Sequence, residues 1–223
     1  MASNRMSPGS KNLYPLNNYV IYLVLEWSNP ATLGPLTLPG KGLAAFFHAV
    51  TPRTAGFNTL AVGSMKESSL LFTVLLMFIG GNPGSTAGGI KTVTFFVLVG
   101  SAWSLSRGRG ELTLFNRRLT IDIVVRAGVI ALISIMLAGA ALTALAITDA
   151  EKGMLPLTFE TFSALGTVGL SMGITAALSA PGKLIIMVLM FLGRLGPLTV
   201  ALALIEGERE KRIKYPAEEV LIG

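Results

Sequence analysis

Residues 51–59 read Thr-Pro-Arg-Thr-Ala-Gly-Phe-Asn-Thr, and the core of this stretch recurs 113 positions later as Gly-Thr-Val-Gly-Leu-Ser at residues 166–171. The residues that are identical at this one spacing include Phe46 and Phe159, Thr54 and Thr167, Gly56 and Gly169, Met77 and Met190, Phe78 and Phe191, Gly80 and Gly193, and Thr86 and Thr199. Identities at a fixed spacing indicate an internal duplication. Each copy is predicted to contain an apolar helix, a short half-apolar helix, a Thr-x-Gly turn and another apolar helix.

A Thr-x-Gly turn between apolar segments has a specific use in a membrane. Glycine adopts backbone angles that other residues avoid, so successive carbonyl groups can point into one narrow channel and replace the water around a cation. Non-helical backbone at membrane depth occurs only where it lines such a cavity or is buried in protein. A single tetrapeptide of this kind is usually an ordinary loop, but two copies in equivalent places favour a cation site.

The composition is that of a membrane protein. Of the 223 residues, 52% are hydrophobic and 13% are charged, whereas about a quarter of the residues in soluble domains are charged. Cysteine is absent, which excludes disulfides and thiolate metal sites. The net charge of +6 comes from residues at the ends of apolar segments and not from an aromatic-interleaved patch, so nucleic acid is not a predicted partner.

The apolar pattern divides the chain into two pore units with flanking segments. Residues 1–18 are polar and are predicted to be a disordered leader, and residues 206–223 form a tail. The first unit covers 19–105 and the second 121–205, with a basic loop at 106–120 between them. Basic residues concentrate in this loop and in the tail, so the positive-inside rule places both in the cytoplasm.

The first helix of the first unit is predicted to be truncated. Its apolar run, residues 19–27, has about nine residues, whereas spanning a bilayer takes about 20. The equivalent helix of the second unit runs from Ile121 to Ile147, which is long enough to span. The sequence therefore predicts a fragment or a chain that begins late.

A glycine-rich stretch interrupts the second apolar helix of the first unit. Five glycines and a proline cannot continue a stable helix, and apolar sequence on both sides places the break inside the membrane, where broken helices usually lie on a transport pathway. The stretch consists of Gly80, Gly81, Asn82, Pro83, Gly84, Ser85, Thr86, Ala87, Gly88 and Gly89. A phosphate-binding loop is the rejected alternative, because Ile90 separates Gly89 from Lys91 and breaks the required spacing.

Arg194 lies inside the last apolar span, predicted from Lys183 to Ile205. A cationic side chain at that depth is costly unless it faces water or a partner. We interpret it as an electrostatic barrier or gate in a pore; the alternative is a structural arginine bonded to carbonyls of the broken helix.

Other polar residues carry weaker signals. Glu160, on the second short helix, either adds negative potential near a cation or ties that helix to its neighbours, and His48 is predicted to be a packing residue. Asn58 and Ser171 follow the two turns and are expected to line an outer vestibule. His48 is the only histidine, and the carboxylates lie mainly in loops and the tail, so no catalytic or metal-binding constellation is predicted and an enzyme is not expected.

Three runs together resemble the Trk/Ktr/HKT potassium transporters, particularly the Ktr membrane subunit. They are residues 46–59, residues 78–92 and residues 191–199. The last run has the sequence Phe-Leu-Gly-Arg-Leu-Gly-Pro-Leu-Thr. The resemblance implies an all-α membrane protein with four helix–pore-loop–helix units around a pseudo-fourfold pore. It assigns Gly80 to Gly89 as a gating loop and places Arg194 beneath the filter. The implied filter residues are Thr54, Ala55, Gly56, Phe57, Thr167, Val168, Gly169 and Leu170.

The resemblance also implies partners and ions. It predicts K⁺ as the transported ion, Na⁺ as a possible coupling ion, no organic cofactor, a homodimer of full-length subunits in the plasma membrane and a cytosolic nucleotide-binding regulatory ring. Only two of the four units are present, so the chain corresponds to a C-terminal half. Two alternatives remain: a non-transporting subunit that docks a cytosolic partner, and a sodium-translocating relative, which is disfavoured because serine replaces neither filter glycine.

Overall fold

The computed structural model describes residues 8–82, 85, 87–107, 113–114, 117–118 and 120–196. Seven α-helices lie in these ranges: α1 Pro8–Glu26, α2 Leu38–Val50, α3 Glu67–Phe78, α4 Thr92–Ser106, α5 Ile121–Thr148, α6 Met154–Leu165 and α7 Ala180–Leu195. Short 3₁₀ turns occupy Val62–Ser64, Ala150–Lys152 and Thr175–Ala177. The strands β1 Thr113–Leu114 and β2 Arg117–Arg118 pair antiparallel. The predicted helical class is therefore confirmed for the described residues, with this two-residue ladder added.

Two helices begin at the polar caps that their sequences provide. The Thr37 hydroxyl accepts the Gly40 N–H (3.4 Å) ahead of α2, and the Ser179 hydroxyl accepts the Gly182 N–H (3.1 Å) ahead of α7. Both helices carry proline in the first turn, where the missing N–H costs nothing because it would have no helical partner.

The core forms two apolar clusters. The first lies among α1, α2 and α3 and also contains Phe159 of α6 and Val168 and Leu170, which follow α6. The second lies among α5, α6 and α7. Contacts of α3 with α6 and of α4 with α5 join the halves. Phe78 and Phe162 meet edge to face at this junction, with ring centroids 5.6 Å apart.

Helix α5 is the one described helix that is long and apolar enough to cross a bilayer. Most of its surface is uncovered by the rest of the chain. An exposed apolar helix of 28 residues suits a lipid environment better than an aqueous one. The apolar helices α3 and α4 are shorter and are separated by the glycine-rich break.

The predicted disordered leader is wrong for residues 8–18. These residues are helical and continue directly into 19–26, so α1 has 19 residues and not about nine. Pro8 occupies the start of α1, where it is tolerated. Pro15 lies within α1 and removes one backbone hydrogen bond without ending the helix, as prolines do in membrane helices. The predicted tail and most of the basic loop lie outside the described residues.

Candidate functional site

The first Thr-x-Gly turn, residues 54–57, directly follows α2. Thr54 and Gly56 both have left-handed backbones, with φ of +73° at each, and the intervening Ala55 does not. A threonine in this region is rare and costs energy that the surrounding structure must offset. The turn therefore has a backbone that changes handedness from one residue to the next.

The second turn, residues 167–170, follows α6 and repeats this conformation. Thr167 has φ of +52° and Gly169 has φ of +87°. Thr54 and Thr167 are the non-glycine residues with positive φ in the described part of the chain. Alternating handedness turns consecutive peptide groups to the same side of the chain. The duplicated sequence thus folds into a duplicated backbone shape.

The structure brings the two turns into direct contact. A Cβ atom added to Gly56 would lie 3.0 Å from the Val168 carbonyl oxygen, and one added to Gly169 would lie 3.2 Å from the Gly56 Cα. Both glycines combine this close approach with a positive φ, so neither position accommodates a side chain without strain. The predicted filter residues of the two copies are therefore neighbours in space.

A hydroxyl group supports each turn from the short helix before it. Thr51 donates its hydroxyl hydrogen to the Phe57 carbonyl oxygen, and Ser163 donates to the Leu170 carbonyl oxygen at 2.5 Å. Each accepting carbonyl belongs to the residue that follows the glycine. Sequence reasoning missed this pair, because Thr51 and Ser163 are not separated by the repeat spacing.

The glycine-rich segment, defined here as residues 79–91, folds back on itself between α3 and α4. Ile79 and Ile90 form a parallel bridge. The Gly80 N–H donates to the Ile90 carbonyl (2.8 Å), and the Ile90 N–H donates to the Phe78 carbonyl (3.1 Å). The Lys91 ammonium donates to the carbonyls of two residues inside the segment, Ser85 at 3.1 Å and Ala87 at 2.6 Å. The predicted break in the helix is thus a closed, non-helical loop. Pro83, Gly84 and Thr86 lie outside the described residues.

This segment contacts both turns. The Arg53 Nη1 atom donates to the carbonyls of Ile79 (2.9 Å) and Gly80 (2.8 Å). The Gly88 N–H donates to the Gly166 carbonyl (3.2 Å) and to the Thr167 hydroxyl (3.0 Å). Arg53 was not among the predicted site residues, because only the fold shows which carbonyls its side chain reaches.

Arg194 lies in the last turn of α7, and its side chain is exposed. The preceding Gly193 packs so closely on Leu165, at the end of α6, that an added Cβ would overlap the Leu165 carbonyl. Arg194 is also near enough to Lys91 for their positive charges to repel. Helix α7 ends directly after it, because Gly196 has a left-handed backbone with φ of +84°.

Glu160 ties its helix to neighbouring residues, which is one of the two roles predicted for it. The side chain is buried, and its carboxylate accepts the hydroxyls of Ser171 and of Thr175 (3.0 Å for the latter). These bonds tie α6 to the stretch after the second turn.

His48 is buried with its ring edge to face against Tyr22, at 4.7 Å between centroids. Asn58 is exposed and donates to the Leu60 carbonyl at 3.1 Å.

Two carboxylates that sequence reasoning missed join the helices of each half. Glu26, the last residue of α1, accepts the N–H of Lys66 at the start of α3 (2.9 Å). Asp149, just after α5, accepts the N–H of Ser179 at the start of α7 (2.7 Å). This N–H and the hydroxyls of Ser179 and Thr148 hold the pKa of Asp149 below its ordinary value. Lys66 and Ser179 are related by the 113-residue repeat spacing.

Uncovered apolar helices around a closed stretch of non-helical backbone define a helical membrane protein. The family model described as TrkH, cation transport protein, matches residues 12–215. The chain belongs to this family, which confirms the resemblance to Trk and Ktr proteins.

Several known proteins are similar to this chain. The Ktr system potassium uptake protein B of Bacillus subtilis is 46% identical over 200 residues, which cover 90% of this chain and 44% of the relative. The potassium/sodium uptake protein NtpJ of Enterococcus hirae is 36% identical over 213 residues, which cover 93% of this chain and 47% of the relative. The crystal structure of the potassium transporter TrkH from Vibrio parahaemolyticus has the same fold, with a TM-score of 0.70 and 19% identity. The match covers 88% of this chain and 42% of the TrkH chain. The chain therefore spans less than half the length of the relatives it matches.

Proposed function

We propose that this chain contributes two of the four strands of a potassium filter that carries K⁺ across the plasma membrane. The observation that carries the proposal is the shared backbone shape of the two touching turns, with left-handed angles at Thr54 and Gly56 and again at Thr167 and Gly169. Membership of a cation transport family and the names of the potassium uptake relatives support it. The role is transport rather than catalysis.

The proposed filter uses backbone carbonyls as ligands. The first turn and the second turn present carbonyl oxygens that replace the hydration shell of K⁺. Helix α2 ends at Val50, three residues before the first turn, and α6 ends at Leu165, one residue before the second. The C-terminal end of a helix carries a partial negative charge, so both short helices favour a cation beside the turns.

In this proposal each half of the chain is one helix–pore-loop–helix unit. Helices α1, α2 and α3 with α4 form one unit, and α5, α6 and α7 form the other. Two units leave the ring of carbonyls open, and the contact between Gly56 and Gly169 leaves no ion-sized gap between those residues. The other two strands are proposed to come from the rest of a full-length protein, of which this chain is the C-terminal half.

The gate is proposed to lie below the filter. The glycine-rich segment, including residues 80–89, blocks the pore in one state, and Arg194 adds a positive barrier. The closed backbone of this segment and its bonds to both turns support the assignment. The basic loop at 106–120 and the tail are proposed to face the cytoplasm, where a nucleotide-binding ring would control a homodimer.

Sodium is the proposed coupling ion, in line with the name of the potassium/sodium uptake relative. Potassium remains the preferred cargo because glycine, and not serine, occupies both filter positions. A subunit that docks a cytosolic partner without transporting is the remaining alternative.

The test uses a chimera in which this chain replaces the matching 200 residues of the Bacillus subtilis relative. The chimera should restore growth of a potassium-uptake-deficient host at low K⁺ and should take up Rb⁺. Gly56→Ser and Gly169→Ser should each reduce the preference for K⁺ over Na⁺ by roughly tenfold or more, because a side chain at positive φ displaces the carbonyls.

Gly139→Ala is the matched control. Gly139 lies on the exposed face of α5, and an added Cβ would meet nothing within 4 Å. This variant should transport as well as the unsubstituted chimera. If Gly56→Ser and Gly139→Ala behaved alike, the proposed filter would be wrong; if the folded chimera never transported, the docking alternative would be favoured.

A further inference from the structure

We propose that Arg53 and Thr167 are positioning residues that fasten the glycine-rich segment to the two turns, so that the segment and the turns change conformation together. The link is a property of the fold of this chain and does not depend on transport. Its role in transport rests on the proposed function, in which it makes gate position and filter geometry interdependent.

The first attachment is made by Arg53. This residue precedes the left-handed Thr54, and its guanidinium reaches the end of α3. Arg53 donates from one nitrogen to the carbonyls of the two residues that follow α3, Ile79 (2.9 Å) and Gly80 (2.8 Å). Hydrogen bonds from a charged donor are stronger than neutral ones. The first turn is therefore bonded to the start of the segment.

The second attachment is made at the other end of the segment. The Gly88 N–H is shared between the Thr167 hydroxyl and the Gly166 carbonyl. Gly88 fits there because it has no side chain: an added Cβ would lie 2.7 Å from the Leu165 carbonyl oxygen and 3.0 Å from that of Gly193. The end of the segment is thus held against the second turn.

The segment and the turns form a closed circuit of contacts. The bridge between Ile79 and Ile90 holds the two ends of the segment side by side. The two turns touch each other through Gly56 and Gly169. Displacing the segment must therefore break one of its attachments or move a turn whose left-handed threonine is already strained.

Hydrogen–deuterium exchange on the full chain, purified in detergent, tests the link without transport. Arg53→Gln removes the charged donor at the first attachment. We expect amide exchange to rise about tenfold at Gly88, which lies outside the described bonds of Arg53, as well as at Gly80. Thr167→Val, which removes the hydroxyl acceptor, should speed exchange at the same two amides. Arg53→Lys keeps a cationic donor and should give an intermediate effect.

Lys91→Gln is the matched control. It also removes a cationic donor, but Lys91 bonds to Ser85 and Ala87 within the segment and to neither turn in its described bonds. It should leave exchange at the Gly80 and Gly88 amides unchanged. If Arg53→Gln accelerates exchange around Gly80 and leaves Gly88 at its original rate, the two ends are independent and the proposal is wrong. Should Arg53→Gln not fold, the Arg53→Lys and Thr167→Val variants decide by the same criterion.

The chimera then tests the role in transport. Arg53→Gln and Thr167→Val break the same circuit, so their combined effect on Rb⁺ uptake should be smaller than the product of the separate effects. Independent, multiplying effects would contradict the link. Absence of uptake by the unsubstituted chimera would refute the proposed function alone, because the exchange result does not depend on transport.

Discussion

Two threonines hold the most demanding backbone conformation in the described chain. Left-handed angles cost a non-glycine residue about 1–3 kcal/mol, and Thr54 and Thr167 both adopt them. Glycine would adopt the same angles with less strain. At the second site the side chain is used, because the Gly88 N–H donates to the Thr167 hydroxyl. The buried Thr54 hydroxyl has no hydrogen-bond partner among the described residues.

Ser163→Ala is predicted to loosen the second turn. The change removes the donor to the Leu170 carbonyl, a bond of 2.5 Å between buried groups, and a lost hydrogen bond of this kind costs about 1 kcal/mol. We expect a lower melting temperature in detergent. In the chimera we expect a reduced preference for K⁺ over Na⁺, measured by competitive Rb⁺ uptake.

Thr161→Val provides the comparison. The Thr161 hydroxyl bonds within α6, to the Leu157 carbonyl at 2.7 Å, so its loss should affect the helix without altering ion preference. Equal effects of the two variants on ion preference would show that the Ser163 bond has no special connection to the turn.

At this scale the sequence predicted the residues of the two turns but not their supports. The Thr-x-Gly pattern is readable because glycine and threonine recur at one spacing. Arg53, Thr51 and Ser163 act on carbonyls of residues 6 to 27 positions away. Backbone carbonyls carry no sequence signal, so such contacts appear only in the fold.

At the scale of helices, a carboxylate joins two helices within each half. Glu26 and Asp149 follow the same plan, in which an acid at the end of the first helix accepts an N–H at the start of the third helix, α3 or α7. A negative charge is favourable at a helix N-terminus. This plan fixes the first and third helices of each half at one end.

Asp149 makes a pH-dependent contribution to stability. Its hydrogen bonds favour the carboxylate, so the folded-state pKa lies below the ordinary value of 3.8. The stabilisation is therefore present above that value and is lost as the pH falls through the lower folded pKa. Asp149→Asn should lower the melting temperature at neutral pH, and the difference from the unsubstituted chain should shrink in acid.

Glu151→Gln serves as the control for this series. Glu151 is exposed and lies two residues further along the chain. It should leave the melting temperature unchanged across the same pH range. A constant difference between the Asp149→Asn and unsubstituted chains down to the lowest pH would contradict the assignment.

Helix positions were largely predictable, and the exceptions have physical causes. The predicted span from Ile121 to Ile147 differs from α5 by one residue at its end. The start of α1 was missed because residues 8–18 are polar and contain two prolines, so hydrophobic periodicity gives no signal there. The helix nevertheless continues through them.

The whole molecule is a duplicated unit whose halves meet at the proposed filter. Phe162 of α6 packs against both apolar clusters. The turns, the glycine-rich segment and the ends of α3 and α6 lie together at the same junction. The duplication predicted two equivalent turns. Their direct contact was not predictable, because no spacing in a sequence specifies how two repeats pack.

The described turns supply two of the four strands of the proposed filter. It spans 44% of the Bacillus subtilis relative, and a stripped cation needs carbonyls on all sides. We therefore predict that the isolated chain gives no K⁺-selective uptake in a deficient host, while the chimera does. Selective uptake by the isolated chain would show that copies of it complete the ring.

Anomalous X-ray scattering from crystals of the chimera grown with Rb⁺ locates the bound cation. We expect rubidium peaks beside the carbonyl oxygens of residues 54–56 and 167–169, on an axis shared by both turns. Rubidium bound elsewhere in a transporting chimera, with no peak beside these carbonyl oxygens, would contradict the proposed filter.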